Sequence, residues 1–297
     1  MSDLAGTALK RARALLEHLH RISGGYILAP ATDATVRWES ASPAINPPNS
    51  ASTVATNPPE VMHTNANDPA TQSSHLTRMP FRLDVASRIH SDTIFASEND
   101  FNTAQSLEEL YDRIHTCTKC PLGATRTKFV FGSGNPHAEI VFIGEAPGAD
   151  EDQQGEPFVG RAGQLLTKIL AAIELDRRQV YICNILKCRP PGNRRPLPTE
   201  VEQCEPYLYK QLQLINPPFL VALGLTAAET LLRRKLKMAD ARGQWYNFYG
   251  GRLLVTYHPA ALLRNPELKG DTWEDVKRLR AAYDTYRSTG MLPEPTS

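Results

Sequence analysis

Nowhere in this 297-residue chain do apolar residues run on for the ~18 positions that a membrane-spanning helix needs. The amino terminus also lacks the apolar core of a secretory signal, so we expect a cytoplasmic protein with no membrane partner. An excess of charge is missing too. Lys and Arg number 33 against 32 Asp and Glu, and the formal net charge of +1 says nothing about nucleic acid. Cysteine is scarce, at five residues, and in a reducing compartment these are metal ligands or buried thiols before they are disulfides. Apolar residues make up only 41% of the chain, and up to Asn102 there is little that could form a core.

What is present falls into three parts. Residues 1–25 carry Leu4, Ala8, Ala12, Leu15, Leu16, Leu19 and Ile22 at helical spacing before Gly24-Gly25. This predicts a short amphipathic helix that could dock on the domain or on a partner protein, with no role assigned to it. Residues 26–100 are dominated by Ala, Pro, Asn, Ser and Thr without periodicity, which predicts a disordered, low-complexity linker. The third part, 101–290, is the expected folded domain. It opens at Ser106-Leu-Glu-Glu109, a capping-box pattern that starts a helix through Leu110 and Ile114.

Four short β-type runs follow: 140–143, 180–183, 219–223 and 253–257. Helix-like segments separate them, at 162–173, 200–214 and 226–236. Continuously apolar strands alternating with helices predict an α/β fold of three layers, with a short four-stranded parallel sheet covered on both faces. The strands run into Gly144-Glu145, Asn184, Gly224 and His258. In open α/β sheets, ligands bind beyond the carboxyl ends of the strands. That single rule gathers Glu145, Asn184 and His258 into one crevice.

The loops carry further signals. Gly144-Glu-Ala-Pro-Gly148 and the Gly-rich stretch 154–163 allow close backbone approach to a flat ligand, but fit neither a P-loop nor a dinucleotide fingerprint. Phe158 in that stretch is either a core residue or an exposed stacking platform. Arg177 to Arg195 contains six Lys or Arg and no acid, and a second basic run covers Arg233, Arg234, Lys235, Lys237 and Arg242. Such runs are ordinarily solvated faces unless a motif turns them toward phosphate. Cys117-x2-Cys120, Cys188 and Cys204 have a spacing that suits either tetrahedral zinc or a [4Fe-4S] cluster, while Cys183 within a strand reads as a buried thiol.

Taken together, Gly-Glu-Ala-Pro-Gly148, Pro-Phe-Val-Gly160, Val180-Tyr-Ile-Cys-Asn184, Lys187-Cys-Arg-Pro-Pro-Gly-Asn193 and His258-Pro-Ala260 resemble the motifs of family-4 uracil-DNA glycosylases, in order from about Leu107 to Arg280. The resemblance implies a base-excision enzyme acting as a monomer on uracil-containing DNA. It also implies a [4Fe-4S] cluster on Cys117, Cys120, Cys188 and Cys204 rather than zinc. By the same resemblance Gly144, Glu145 and Ala146 line the pocket, Phe158 stacks on uracil, and Asn184 reads its edge. Glu151 would crowd the place of thymine's methyl. His258 would stabilise the departing base, and Glu145 the sugar cation and attacking water. Arg189, Arg194 and Arg195 are expected at phosphates, with Leu262, Leu263 and Arg264 as wedge and anchor in the duplex. The competing expectations are a non-catalytic iron–sulfur nucleic-acid-binding protein of the same fold and a zinc hydrolase of small nucleotides. The intact Glu145, Asn184 and His258 argue against the first. Four thiols committed to one closed site argue against the second.

Overall fold

The computed structural model describes residues 101–296. The amphipathic stretch 1–25 and the linker 26–100 lie outside the described residues. The strands are β1 (Ser133–Gly134), β2 (Ile140–Gly144), β3 (Tyr181–Asn184), β4 (Phe219–Leu223), β5 (Trp245–Phe248) and β6 (Gly251–Thr256). The helices are α1 (Leu107–Ile114), α2 (Leu122–Thr125), α3 (Ala149–Gln154), α4 (Arg161–Ala172), α5 (Pro198–Ile215), α6 (Leu225–Leu232), α7 (Met238–Ala241), α8 (Pro259–Arg264) and α9 (Leu268–Thr289). Among the described residues no helix is long and apolar enough to cross a membrane.

The sheet order is β1-β3-β2-β4-β6-β5, with β3, β2, β4 and β6 parallel and the two outer strands antiparallel. Six strands therefore replace the four expected. The two extra ones escape a search for apolar runs for different reasons. Only Ser133 and Gly134 form β1. The other, β5, is joined to β6 by Tyr249-Gly250, whose φ angles of 48° and 92° match the two-residue hairpin turn that right-twisted strands favour.

Alternation along each strand explains the continuous apolar character of the parallel core. Val141, Ile143, Cys183, Leu220, Ala222, Leu253 and Val255 face a cluster shared with α1, α5 and α6. Phe142, Ile182, Phe219, Val221 and Leu254 face the opposite cluster, completed by Leu166 and Leu170 of α4 and Val276 and Leu279 of α9. Both faces are buried, so both parities of residue must be apolar. Ser106 caps α1 as its sequence suggests, its hydroxyl accepting from Glu109 N at 3.1 Å.

The chain leaves β2 to one side, forms β3, and returns on the other side as β4. Such a reversal opens a crevice at the carboxyl ends of the strands it separates. The fold continues past residue 290. Trp245 N donates to Thr296 Oγ1 at 2.7 Å and Thr296 N to Trp245 O at 2.8 Å, so the last residues cover the β5 edge.

Candidate active site

Parallel register sets Gly144 at the end of β2 beside Asn184 at the end of β3. Three groups meet there. A methyl group on Gly144 would lie 2.4 Å from Asn184 Oδ1 and 2.6 Å from Phe158 Cζ, so only glycine leaves room for the amide and the ring together. Asn184 is 1% exposed, and its Oδ1 is buried with no hydrogen-bond partner among the described residues. An unpaired buried acceptor costs on the order of 1–3 kcal/mol. It is tolerated where a ligand supplies the missing donor. The main chain around it is firmly tied, Ile185 N to Gly144 O and Leu186 N to Glu145 O, while the buried Lys187 Nζ donates to Asn184 O at 2.9 Å.

Phe158 is buried beneath the same rim, its ring centroid 5.4 Å from that of His258. Its loop is held by Glu151, whose Oε1 accepts from Val159 N and Gly160 N at 2.9 Å and whose Oε2 accepts from Gly148 N at 3.1 Å. The expectation that Glu151 crowds a thymine methyl therefore meets a different geometry. Both carboxylate oxygens are bound to the chain's own backbone, at three N–H groups of two loops.

His258 follows β6 and is the N-cap of α8, its Nδ1 accepting from Ala260 N at 3.1 Å. An accepting Nδ1 carries no proton, so the neutral ring holds its proton on Nε2 as a donor. Burial, reinforced by Arg264, lowers the His258 pKa to about 4. Glu145 is half-buried at the end of β2, and its carboxylate forms no hydrogen bond or ion pair among the described residues. Ala146 beside it is half-buried against the apolar cluster of the α1 face. Glu145, Asn184 and His258 thus all stand at carboxyl ends of parallel strands, as the strand-end rule predicts.

Away from this rim, Cys117, Cys120, Cys188 and Cys204 lie near one another around α1, α2 and α5. All five cysteines are free thiols. Tyr207 Oη donates to Cys117 Sγ at 3.3 Å, Arg126 Nη1 to Cys188 Sγ at 3.4 Å, and Lys187 N to Cys204 Sγ at 3.3 Å. Burial pushes the Cys188 thiol up, with Arg126 opposing and Cys120 and Cys117 adding to the rise. Burial pushes Cys204 up to about 12, with Lys187 opposing and Cys188 and Cys117 adding. Cys183 is fully buried within β3, as its place in a strand suggests. Among the described residues no three His, Cys, Asp or Glu side chains close on a single metal ion.

The expected duplex-contacting residues divide. Leu262 is 1% exposed and belongs to the interior, which corrects its reading as a wedge. Leu263 next to it is 39% exposed, and Arg264 is exposed at the end of α8. Arg194 is likewise not a free phosphate contact. Its guanidinium grips Glu200 through two bonds of 2.9 and 2.6 Å, and Glu200 also accepts from Leu197 N. That pair pins the basic loop to the start of α5. Arg195 reaches Thr226 Oγ1 at 3.0 Å and stays largely exposed, and Arg189 Nε donates to Asn193 Oδ1. Arg177, which anchors Phe158, carries no sequence signal that separates it from the rest of the basic run, whereas Lys187, which anchors Asn184, opens the Lys187-to-Asn193 motif.

Residues 131–277 match the Uracil DNA glycosylase superfamily. The type-4 uracil-DNA glycosylase of Archaeoglobus fulgidus is 46% identical over 183 residues, covering 59% of this chain and 92% of that protein. Those of Thermotoga maritima and Pyrobaculum aerophilum are 42% and 44% identical, covering 61% and 57% of this chain and 96% and 91% of theirs. The aligned stretches cover nearly the whole length of each relative and about three fifths of this chain. At that identity and coverage, the chain belongs to the type-4 uracil-DNA glycosylase family.

Proposed function

We propose that this protein excises uracil from DNA, hydrolysing the bond between N1 of the base and the deoxyribose and leaving an abasic site for repair. The observation that carries this reading is the buried, unpartnered Asn184 Oδ1 next to the Phe158 ring. A flat base stacked on Phe158 and offering N3–H would satisfy that acceptor, and the amide NH2 would then meet O4. Cytosine has an acceptor at N3 and a donor at C4, so the same amide disfavours it. A base within a duplex is unreachable, so the nucleotide must be extruded, with exposed Leu263 and Arg264 suited to hold the vacated stack and its phosphate.

As the glycosidic bond breaks, negative charge gathers on the pyrimidine and positive charge on the sugar. His258, neutral with Nε2–H available, donates to O2 of the departing base in the manner of an oxyanion hole. The unpaired carboxylate of Glu145 stabilises the sugar cation and orients the water that attacks C1′. No proton need pass through His258 for the bond to break, which agrees with its lowered pKa.

Cys117, Cys120, Cys188 and Cys204 suit a [4Fe-4S] cluster. The donor set is all sulfur, and Arg126, Lys187 and Tyr207 supply hydrogen bonds or positive charge to it. Burial disfavours a bare thiolate at Cys204, and a bound cation would offset that cost. When bound, the cluster supplies a rigid cross-link between the α1–α2 segment, the Cys188 loop and α5. The test is excision from a duplex holding one uracil, read by alkaline cleavage on a gel, beside identical duplexes holding thymine or cytosine. Cleavage of the uracil strand alone is expected. Asn184→Asp should slow uracil excision by about 10²-fold or more, because a carboxylate can only accept and repels O4. Parent-like excision by that variant would remove Asn184 as the reader.

A further inference from the structure

Phe158 holds an unusual backbone. Its φ of 55° lies in the left-handed region, which bulky residues seldom occupy and which costs about 1–3 kcal/mol unless the surroundings enforce it. Two charged side chains from different elements do so. On one side the Glu151 carboxylate collects the N–H groups of Val159 and Gly160. On the other, Arg177 collects the preceding carbonyls, Nη1 donating to Phe158 O at 3.0 Å and Nη2 to Pro157 O at 2.7 Å. Among the described residues no other donor reaches either carbonyl. The Phe158 carbonyl also packs against Gly163, where a Cβ would come within 1.7 Å of it, so only glycine at that position of α4 leaves room for the carbonyl.

Arg177 itself lies on the connection between α4 and β3, outside every motif of the site. It is half-buried and steadied by Glu156 at 3.7 Å, which in turn accepts from Ser133 Oγ of β1 at 3.4 Å. A planar fork fixed at that distance can hold two consecutive carbonyls at once, which a lysine ammonium cannot match in geometry. We infer that Arg177 is the positioning residue for the uracil platform: it fixes the Phe158 backbone so that the ring lies against Asn184 and His258. The inference rests on Phe158 being that platform.

The experiment compares Arg177→Met, Arg177→Lys, Phe158→Leu and the double variant Arg177→Met/Phe158→Leu in the full-length, iron-loaded protein. Two quantities are measured: inhibition of excision by free uracil, and affinity for a duplex with a tetrahydrofuran abasic site. Arg177→Met should weaken uracil inhibition about tenfold, the scale of one or two lost hydrogen bonds to a charged donor. Arg177→Lys should recover part of that loss. The double variant should be no worse than Phe158→Leu, because the arginine acts only through the ring. Abasic-duplex affinity should stay at the parent value throughout. If Phe158→Leu leaves uracil inhibition intact, the platform reading fails and the inference with it. If Phe158→Leu weakens inhibition while Arg177→Met does not, or the two losses add, Arg177 does not position the ring. A parallel fall in abasic-duplex affinity would mark general loosening and overturn the assignment. Should Arg177→Met not fold, the same comparison is read on Arg177→Lys, for which parent-like inhibition combined with parent-like kcat and KM would contradict the fork geometry.

Discussion

At the scale of single residues, His258 shows how local structure sets chemistry. As the N-cap of α8 it accepts through Nδ1, and burial lowers its pKa from 6.5 to about 4. The neutral ring therefore persists on lowering the pH through 6.5. Single-turnover excision should hold its rate well below pH 6.5 and fall only as the pH approaches 4, whereas an acid limb centred near 6.5 would mean an ordinary imidazole. The same shift links to stability. The folded pKa lies below the unfolded one, so this contribution is complete above pH 6.5 and is lost as the pH falls toward about 4. The rim residues Glu145, Asn184 and His258 are legible in the sequence because each directly follows an apolar strand. The roles of Glu151 and Arg177 are not legible, since their partners are backbone N–H and C=O groups that no side-chain pattern reveals.

At the scale of elements, α8 separates two adjacent leucines. Leu262 is 1% exposed and Leu263 39%, a difference set by the helical turn and by which face docks on the domain. Leu-Leu-Arg gives no hint of that choice. Leu262→Ala should destabilise the fold by about 2–5 kcal/mol in urea unfolding, as buried truncations do. Leu263→Ala should change stability by less than about 0.5 kcal/mol while weakening binding to a uracil duplex. The opposite pattern would exchange their assignments. The parallel strands are legible from their apolar runs, but the edge strands are not. Two residues form β1, and β5 depends on a turn at Tyr249-Gly250 that becomes clear only when its backbone angles are known.

At the scale of the whole molecule, the described fold holds both the rim and the four cysteines, and the relatives match about three fifths of the chain. A protein lacking residues 1–100 should retain excision on a short uracil duplex, about four irons per chain and a brown colour. Replacing any of Cys117, Cys120, Cys188 or Cys204 should lose the iron, while Cys183→Ala should keep it. A colourless protein with one zinc would overturn the cluster. A fall of about 10²-fold in turnover on truncation would bring the first hundred residues into the site.

The central claim is that His258 and Glu145 serve opposite charges of one transition state across a single strand-end rim. His258→Ala should cost about 10²–10³ in the single-turnover rate on uracil, the scale of a lost oxyanion donor. The most direct measurement repeats that rate for His258→Ala and Glu145→Ala on duplexes with 5-fluorouracil, a better leaving group, in place of uracil. The fluorinated base needs less help at O2 but leaves the same cation on the sugar. It should restore much of the His258→Ala rate and little of the Glu145→Ala rate, and equal rescue of both variants, or of neither, would contradict the division of labour.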